Sequence, residues 1–152
     1  MKQTQIIMDM PVTLEVVESS VTSALFDEVF AYFKAIDARF STFKANSEIS
    51  RINRGELALA EASEDMKIVF KLCEQMRRNT GGYFNILQEG FYDPAGLVKG
   101  WAIFNAAEMV RQAGFENFYV EAGGDFQVVG KNSAGQNWRV GIRNPFNLNE
   151  II

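Results

Sequence analysis

Histidine is absent from this 152-residue chain, and cysteine occurs once. Without an imidazole, the chain cannot by itself form a Ser-His-Asp or Cys-His catalytic unit or a histidine-ligated zinc site. The single cysteine, Cys73, follows Met66 and Val69 at helical spacing, which predicts a core position rather than a nucleophile. Chemistry within the chain must therefore rely on carboxylates, hydroxyls, lysine or main-chain groups, and the sequence assigns no catalytic residue.

Long apolar stretches are also absent. Charged residues interrupt each apolar run before it reaches the roughly 18 to 20 residues that a membrane-spanning helix needs. The first residues, MKQTQIIMDMPVT, contain one lysine and too few apolar side chains for an export signal. No cysteine for lipid attachment lies near this end. The sequence therefore predicts a cytoplasmic protein without a membrane span.

An excess of positive charge is missing as well. The chain has 15 lysines and arginines against 19 aspartates and glutamates, a net charge of -4. A nucleic-acid partner would normally require a basic stripe that releases counterions from phosphates, so the charge argues against one. A small anionic ligand is still allowed, because main-chain N–H groups at a helix N-terminus can bind phosphate in an acidic protein.

The residues that are present predict one globular α+β domain over 1–152. Of the chain, 47% is hydrophobic and 22% charged, which is typical of a soluble domain. Period-two and helical patterns predict helices packed on a mostly antiparallel sheet. The predicted strands are 12–17, 117–122, 126–130 and 137–143. The predicted helices are 20–40, one capped by Ser63 that ends before Gly81, and one from Asp93-Pro94 to about Ala113, with 41–57 as a loop that has one short turn after Ser47.

The segment DPAGLVKGWA, residues 93–102, has the features of an anion site. Gly96 and Gly100 lie on one helical face, where a ligand or strand could approach the backbone, and Lys99 could face negative charge. A capped helix packed tightly through two glycines explains the same residues. From the residues alone, both interpretations stay open.

Of three other features, two allow two interpretations each. VEAGGDF, residues 120–126, predicts a hairpin turn, although Asp125 could instead direct a carboxylate into a site. Phe43, on a polar loop, could stack on a planar ligand or anchor the loop in the core. GGYFN, residues 81–85, is typical of a helix end followed by an extended segment.

The order of these segments is more specific than any one of them. FSTFKANSEISRIN, TGGYFN, DPAGLVKGWA, VEAGGD and WRVGIRNPFN follow one another along the chain. This set closely resembles the ApbE family of FAD:protein FMN transferases, from MDMPVT at residues 8–13 to the end. The resemblance implies an ApbE-like, T-fold-like domain.

The resemblance also implies an activity. Family members bind FAD, cleave its diphosphate with a divalent metal, usually Mg²⁺, and attach FMN to a threonine or serine hydroxyl of a target protein. Such phosphoryl transfer depends on positioning and on charge neutralisation by the metal, and it needs no histidine. The expected partners are FAD and an acceptor protein. Two alternatives remain, a non-catalytic flavin-binding module and a metal-dependent FAD pyrophosphatase.

The resemblance further implies a set of site residues. Met8 is expected against the flavin, Phe43 on the isoalloxazine ring, and Phe84, Asn85, Asp93 and Lys99 in contact with FAD. The carbonyl of Gly96 is expected to reach the metal, since magnesium accepts such oxygen ligands.

Two departures from the family pattern bear on these expectations. The family's M-G-T is Met8-Asp9-Met10 here, which replaces a glycine and a hydroxyl. The C-terminal region that supplies the family's metal-binding aspartate and threonine does not occur before Ile152. The sequence therefore predicts a domain truncated at its C-terminus that binds metal poorly by itself.

Overall fold

The computed structural model describes residues 1–142 and 144–147 of the chain. Within this part, the α-helices are α1 (Ser23–Phe40), α2 (Glu48–Asn53), α3 (Glu64–Asn79) and α4 (Ala95–Gln112), with a short 3-10 helix at Leu59–Glu61. The strands are β1 (Lys2–Ile7), β2 (Met10–Val16), β3 (Leu87–Gln88), β4 (Phe91–Tyr92), β5 (Phe118–Ala122) and β6 (Asp125–Val129).

The main sheet has the strand order β1-β2-β5-β6, and each neighbouring pair is antiparallel. Alternate residues of β2 and β5 point to one face and are fully buried: Val12, Leu14, Val16, Phe118, Val120 and Ala122. This is the period of two expected of strands that bury one face. The arrangement confirms the predicted α+β class with helices on an antiparallel sheet.

Helices α1 and α4 pack on each other, and α4 also contacts β5 and β6. Helix α1 contributes large buried rings from Phe26, Phe30 and Phe33, whereas α4 contributes the small buried side chains of Ala102 and Ala106. Large side chains facing small ones let the two helices interdigitate without voids. The C-terminal part of α1 and the first turns of α4 thereby come to the same side of the molecule.

Several predicted helix ends agree with the structure. Ser63 caps α3, with its Oγ accepting from the N–H of Met66 at 3.3 Å, and Cys73 is buried as predicted. The turn predicted after Ser47 is α2, capped by Ser47 Oγ at 3.1 Å from the N–H of Ser50. Helix α1 begins at Ser23 rather than at residue 20, because residues 17–22 form the connection from β2.

Two predictions about α4 need correction. Pro94 occupies the N-cap position rather than the first helical position, and the helix begins at Ala95. Gly100 does not face a close neighbour, since nothing described lies within 4 Å of where its Cβ would be. A Cβ on Gly96, by contrast, would lie 3.4 Å from the ring of Phe84, so only Gly96 meets the predicted close approach.

The predicted strand at 137–143 is wrong for the part that is described, since residues 137–142 form no strand and Arg143 lies outside the described residues. A single bridge joins Lys131 to Asn137. Trp138 instead donates its indole N–H to the carbonyl of Val129 at 2.9 Å and packs against Tyr119. The alternation of apolar and polar residues was therefore insufficient to predict a strand, because a strand also needs a neighbouring strand that hydrogen-bonds its main chain.

Strand β1 and the short β3–β4 hairpin were not predicted. β1 is the edge of the sheet and carries mostly polar residues, while β3 and β4 have two residues each, too short to show a period.

Within residues 1–142 and 144–147, no helix is both long and apolar enough to cross a membrane.

Candidate functional site

A cleft of about 170 Å³ lies beside the C-terminal end of α1 and the first turns of α4. Four of the residues predicted from the sequence line it, namely Met8, Phe43, Asp93 and Lys99. They come from three distant parts of the chain: the β1–β2 turn, the loop after α1, and the start of α4. Apolar side chains of α1 and α4, including Ile36, Phe40 and Val98, form its inner wall.

Phe43 lies at the rim of the cleft and is 96% exposed. This rules out the alternative that Phe43 anchors its loop in the core. The loop is nevertheless fixed, because Lys44 pairs with Asp37 of α1 at 2.5 Å and Ser47 Oγ donates to the carbonyl of Ser41 at 2.7 Å. An exposed aromatic ring on a fixed loop can offer its face to a planar ligand at low entropic cost.

Met8 reaches the cleft from the turn between β1 and β2. Met8 and Asp9 have φ values of 55° and 56°, and Ile7 pairs with Met10 on either side of them. Two central residues with positive φ define a type I′ turn, which usually takes glycine or asparagine. The glycine of the family's M-G-T pattern would occupy the position of Asp9. The replacement of glycine by aspartate therefore lies at a backbone position with positive φ, which is strained for a residue with a Cβ.

Asp93 lines the cleft directly before α4. Its N–H donates to the carbonyl of Ile86 at 2.8 Å, and its Oδ1 accepts from the N–H of Ala95 at 3.0 Å. The preceding residue, Tyr92, is bonded on both main-chain groups by the side chain of Asn53, at 2.9 and 2.8 Å. Asp93 therefore has a fixed main chain and one carboxylate oxygen bonded at the helix start.

Lys99 projects from the second turn of α4 and forms an ion pair with Asp125, with 2.9 Å between Nζ and Oδ2. Asp125 begins β6, immediately after Gly123 and Gly124, which form the predicted hairpin turn. Its carboxylate reaches the cleft lysine, but Asp125 does not line the cleft, so the hairpin turn is confirmed and a site role of Asp125 stays a prediction. The side chains of Lys99 and Asp125 are 34% and 57% exposed, which leaves the pair accessible to solutes.

The remaining predicted residues lie outside the lining of this cleft. Phe84 is half-buried and packs its ring over Gly96, in the first turn of α4. Asn85 lines a separate depression beside Arg77 and Ile86, and its Oδ1 accepts from the N–H of Leu87 at 3.1 Å. The fold thus brings together four of the seven predicted residues and leaves Phe84, Asn85 and Gly96 outside the lining of this cleft.

A sequence model of the ApbE family matches residues 8–93 and 88–152, which together span most of the chain. The chain belongs to the ApbE family. The recognition made from the segment order is thereby confirmed.

Two proteins named FAD:protein FMN transferase are similar to this ApbE family member. The one from Haemophilus influenzae is 21% identical over 178 aligned positions, which cover 82% of this chain and 51% of that protein. The one from Vibrio cholerae is 34% identical over 59 residues, or 39% of this chain and 18% of that protein.

Solved structures of the family have the same fold. The flavin transferase ApbE from Vibrio cholerae superimposes with a TM-score of 0.84 at 18% identity, over 95% of this chain and 64% of that one. The ApbE protein from Thermotoga maritima gives 0.87 at 18% identity, over 100% of this chain and 65% of that one. The chain thus spans about half the length of the Haemophilus influenzae relative and just under two thirds of these solved chains.

In the described part of this ApbE family member, metal-binding side chains do not cluster. Among residues 1–142 and 144–147, no three His, Cys, Asp or Glu side chains are arranged to hold a metal ion. The carbonyl of Gly96 lies in the first turn of α4, where a helical carbonyl accepts from the N–H four residues later and keeps a second lone pair. Its contact with a metal stays a prediction, and the described residues form no metal site from such side chains alone.

Sequence reasoning missed Asn53 and Asp37, which fix the surroundings of the cleft. Ser47, Ser50 and Asn53 recur every third residue in NSEISRIN. This spacing aligns polar side chains on one face of a short helix. It was the signal in the sequence from which Asn53 could have been identified. Asp37 lacks such a signal, because its neighbour Lys44 lies beyond the end of α1.

Proposed function

We propose that this chain forms the flavin-binding part of an FAD:protein FMN transferase, which moves FMN from FAD to a threonine or serine hydroxyl of a target protein. The observation that carries the proposal is the cleft in which Met8, Phe43, Asp93 and Lys99 meet. The chain's membership of the ApbE family and the names of its relatives support the same activity.

In the proposed complex, the isoalloxazine ring stacks on Phe43 and contacts Met8. An exposed aromatic face on a fixed loop suits a flat ring, and stacking of this kind contributes about 1 to 3 kcal/mol. The thioether of Met8 adds a polarisable apolar contact. The apolar wall of Ile36, Phe40 and Val98 would exclude water from the ring edge.

The charged part of FAD is assigned to Lys99 and the start of α4. A helix N-terminus presents main-chain N–H groups and a partial positive charge, which favour phosphate. Lys99 would add a full charge from the second turn. The cleft, at about 170 Å³, is smaller than the roughly 300 to 1,000 Å³ typical of sites that enclose a whole ligand, so the adenosine would lie outside it.

No step is assigned to magnesium, because the described residues contain no cluster of three metal-binding side chains. Phe84 and Asn85 remain proposed FAD contacts on the surface next to the cleft. FAD extended along this surface would pass the half-buried ring of Phe84 at Gly96.

Binding is tested by adding FAD to the chain and following flavin fluorescence, with and without magnesium. Saturable quenching is expected, and its absence would contradict the proposal. Riboflavin provides the phosphate-free comparison.

Transfer is tested by incubating the chain and FAD with a threonine-containing acceptor, with water alone in parallel. A covalent FMN on the acceptor, with release of AMP, is the expected product by mass spectrometry. FMN and AMP without acceptor modification would indicate a pyrophosphatase. Binding without either product would indicate a non-catalytic flavin module.

A further inference from the structure

Asn53, the last residue of α2, bonds to a residue 39 positions later in the chain. Its Nδ2 donates to the carbonyl of Tyr92 at 2.9 Å, and its Oδ1 accepts from the N–H of Tyr92 at 2.8 Å. A carboxamide has one donor side and one acceptor side, so it can pair with both main-chain groups of one residue, as a neighbouring strand would. An ionised carboxylate can only accept and a lysine ammonium can only donate, so neither can replace both bonds.

Residues of the same short helix, and the residue directly after it, also bond to the loop that carries Phe43, on the other side of the cleft from Asp93. Ser50 Oγ donates to the carbonyl of Thr42 at 3.3 Å, and Arg54, directly after α2, donates to the carbonyl of Ala45 at 2.8 Å. These carbonyls flank Phe43. Helix α2 therefore connects the Phe43 loop on one side to the Tyr92-Asp93 segment on the other.

The Tyr92-Asp93 segment has other hydrogen bonds, but they run to its own hairpin and to the adjacent start of α4. Asp93 bonds to Ile86, and Tyr92 pairs with Leu87 across β3 and β4. Such bonds fix the shape of the hairpin without fixing its distance from the Phe43 loop. Among the described residues, the hydrogen bonds of Asn53 join the Tyr92-Asp93 segment to α2, and Ser50 and Arg54 join α2 to the Phe43 loop.

We propose that Asn53 is a positioning residue for flavin binding, which holds Asp93 and the start of α4 at a set distance from Phe43. This inference rests on the proposed function, because it concerns the cleft assigned to FAD. Asn53 acts through the main chain of Tyr92 and needs no contact with the ligand. The side chain thereby determines the width of the cleft.

The first test replaces Asn53 with alanine in the whole chain. Loss of both hydrogen bonds should lower the affinity for FAD about tenfold, with a similar loss for riboflavin, because the ring site itself widens. The N–H of Tyr92 should exchange with solvent faster than in the parent. If Asn53→Ala does not fold, Asn53→Asp, which keeps only the acceptor for this N–H, should also bind FAD more weakly.

The matched control is Asn105→Ala. Asn105 is also a half-buried amide with a hydrogen bond to another helix, 3.1 Å from the hydroxyl of Tyr32, but it does not line the cleft. Its replacement should lower thermal stability and leave FAD affinity unchanged. Equal loss of affinity in both variants would overturn the inference, because affinity would then follow general stability.

A second test combines Asn53→Ala with Asp93→Asn. If Asn53 acts by placing Asp93, the double variant should lose less affinity than the product of the two single losses, since a displaced Asp93 has less to lose. Multiplicative losses would overturn the inference. A parent chain that binds no flavin would overturn the proposed function and this inference with it, whereas a parent that binds FAD no better than Asn53→Ala overturns the inference alone.

Discussion

At the scale of single residues, Phe43 combines full exposure of its ring with a loop held by hydrogen bonds. Phe43→Ala should therefore weaken FAD binding by about 1 to 3 kcal/mol and leave the melting temperature unchanged. Tyr83, which is 99% exposed and does not line the cleft, supplies the control variant Tyr83→Ala. Fluorescence titration and thermal unfolding of both variants check this. Equal FAD affinity in the two variants would remove Phe43 from the site.

Lys99 offers a second prediction at this scale. Lys99→Met keeps the apolar stem and removes a charge-assisted hydrogen bond, so FAD affinity should fall by about 1.5 to 3 kcal/mol. Riboflavin affinity should change much less, because riboflavin has no phosphate. Titration of both ligands against parent and variant makes the comparison. Equal losses would indicate a distorted cleft and exclude the phosphate role.

Asp125, the ion-pair partner of Lys99, supplies a third prediction for the same titrations. Exposed ion pairs stabilise proteins by only about 0 to 1 kcal/mol, so a phosphate can displace the carboxylate from Lys99. Replacing Asp125 with asparagine in the same titrations provides a check on the lysine result. FAD affinity should then be equal to or above that of the parent.

At the scale of elements, the β1–β2 turn carries backbone strain at two non-glycine residues. The positive φ of Asp9 costs an ordinary L-residue about 1 to 2 kcal/mol, a cost that glycine avoids. Asp9→Gly should raise the free energy of unfolding by up to about 1 kcal/mol, whereas Asp9→Ala, which has a Cβ and no polar group to bond locally, should lower it. Urea unfolding of the three proteins tests this, and equal stability of the glycine and alanine variants would contradict it.

Element length decided which parts of the fold the sequence could predict. Helix α3 has a capping serine, acidic residues in its first turn and basic residues in its last, so its ends were predictable. The β3–β4 hairpin has two residues in each strand, which is shorter than any periodic signal. Apolar and polar residues alternate from Trp138 onward as in a strand, yet residues 138–142 form none. Alternation shows only that a segment could be a strand, whereas strand hydrogen bonds also need a neighbouring strand.

At the scale of the whole molecule, Glu18 joins the connection after β2 to the turn before β5. One carboxylate oxygen accepts from the N–H groups of Glu116 and Asn117 and from the Asn117 side chain, at 2.9 to 3.0 Å. Burial by itself would raise the pKa of Glu18, but these hydrogen bonds together outweigh it and hold the pKa below its ordinary value of 4.5. The other carboxylate oxygen is buried without a partner in the described part of the chain.

The lowered pKa of Glu18 gives stability a defined pH dependence. A carboxyl group with a lower pKa in the folded state stabilises the protein above its unfolded pKa, and this stabilisation is lost as the pH falls through the folded pKa. Glu18→Gln should be less stable than the parent at neutral pH, and the difference should shrink below about pH 4.5. Unfolding at a series of pH values measures it. A difference that stays constant with pH would show that charge on Glu18 is not involved.

The sequence by itself determined that histidine-dependent catalysis is excluded within the chain. It also determined the α+β class and the membership of the ApbE family. Local burial periods, helix caps and the order of short segments set these features, and all are encoded within a few neighbouring residues. The tertiary structure alone decided that Met8, Phe43, Asp93 and Lys99 share one cleft and that Phe84 and Asn85 are not part of its lining. It also decided that Asn53 pairs with Tyr92, because a contact between residues 39 positions apart depends on how the elements pack together, and no local pattern identifies the partner.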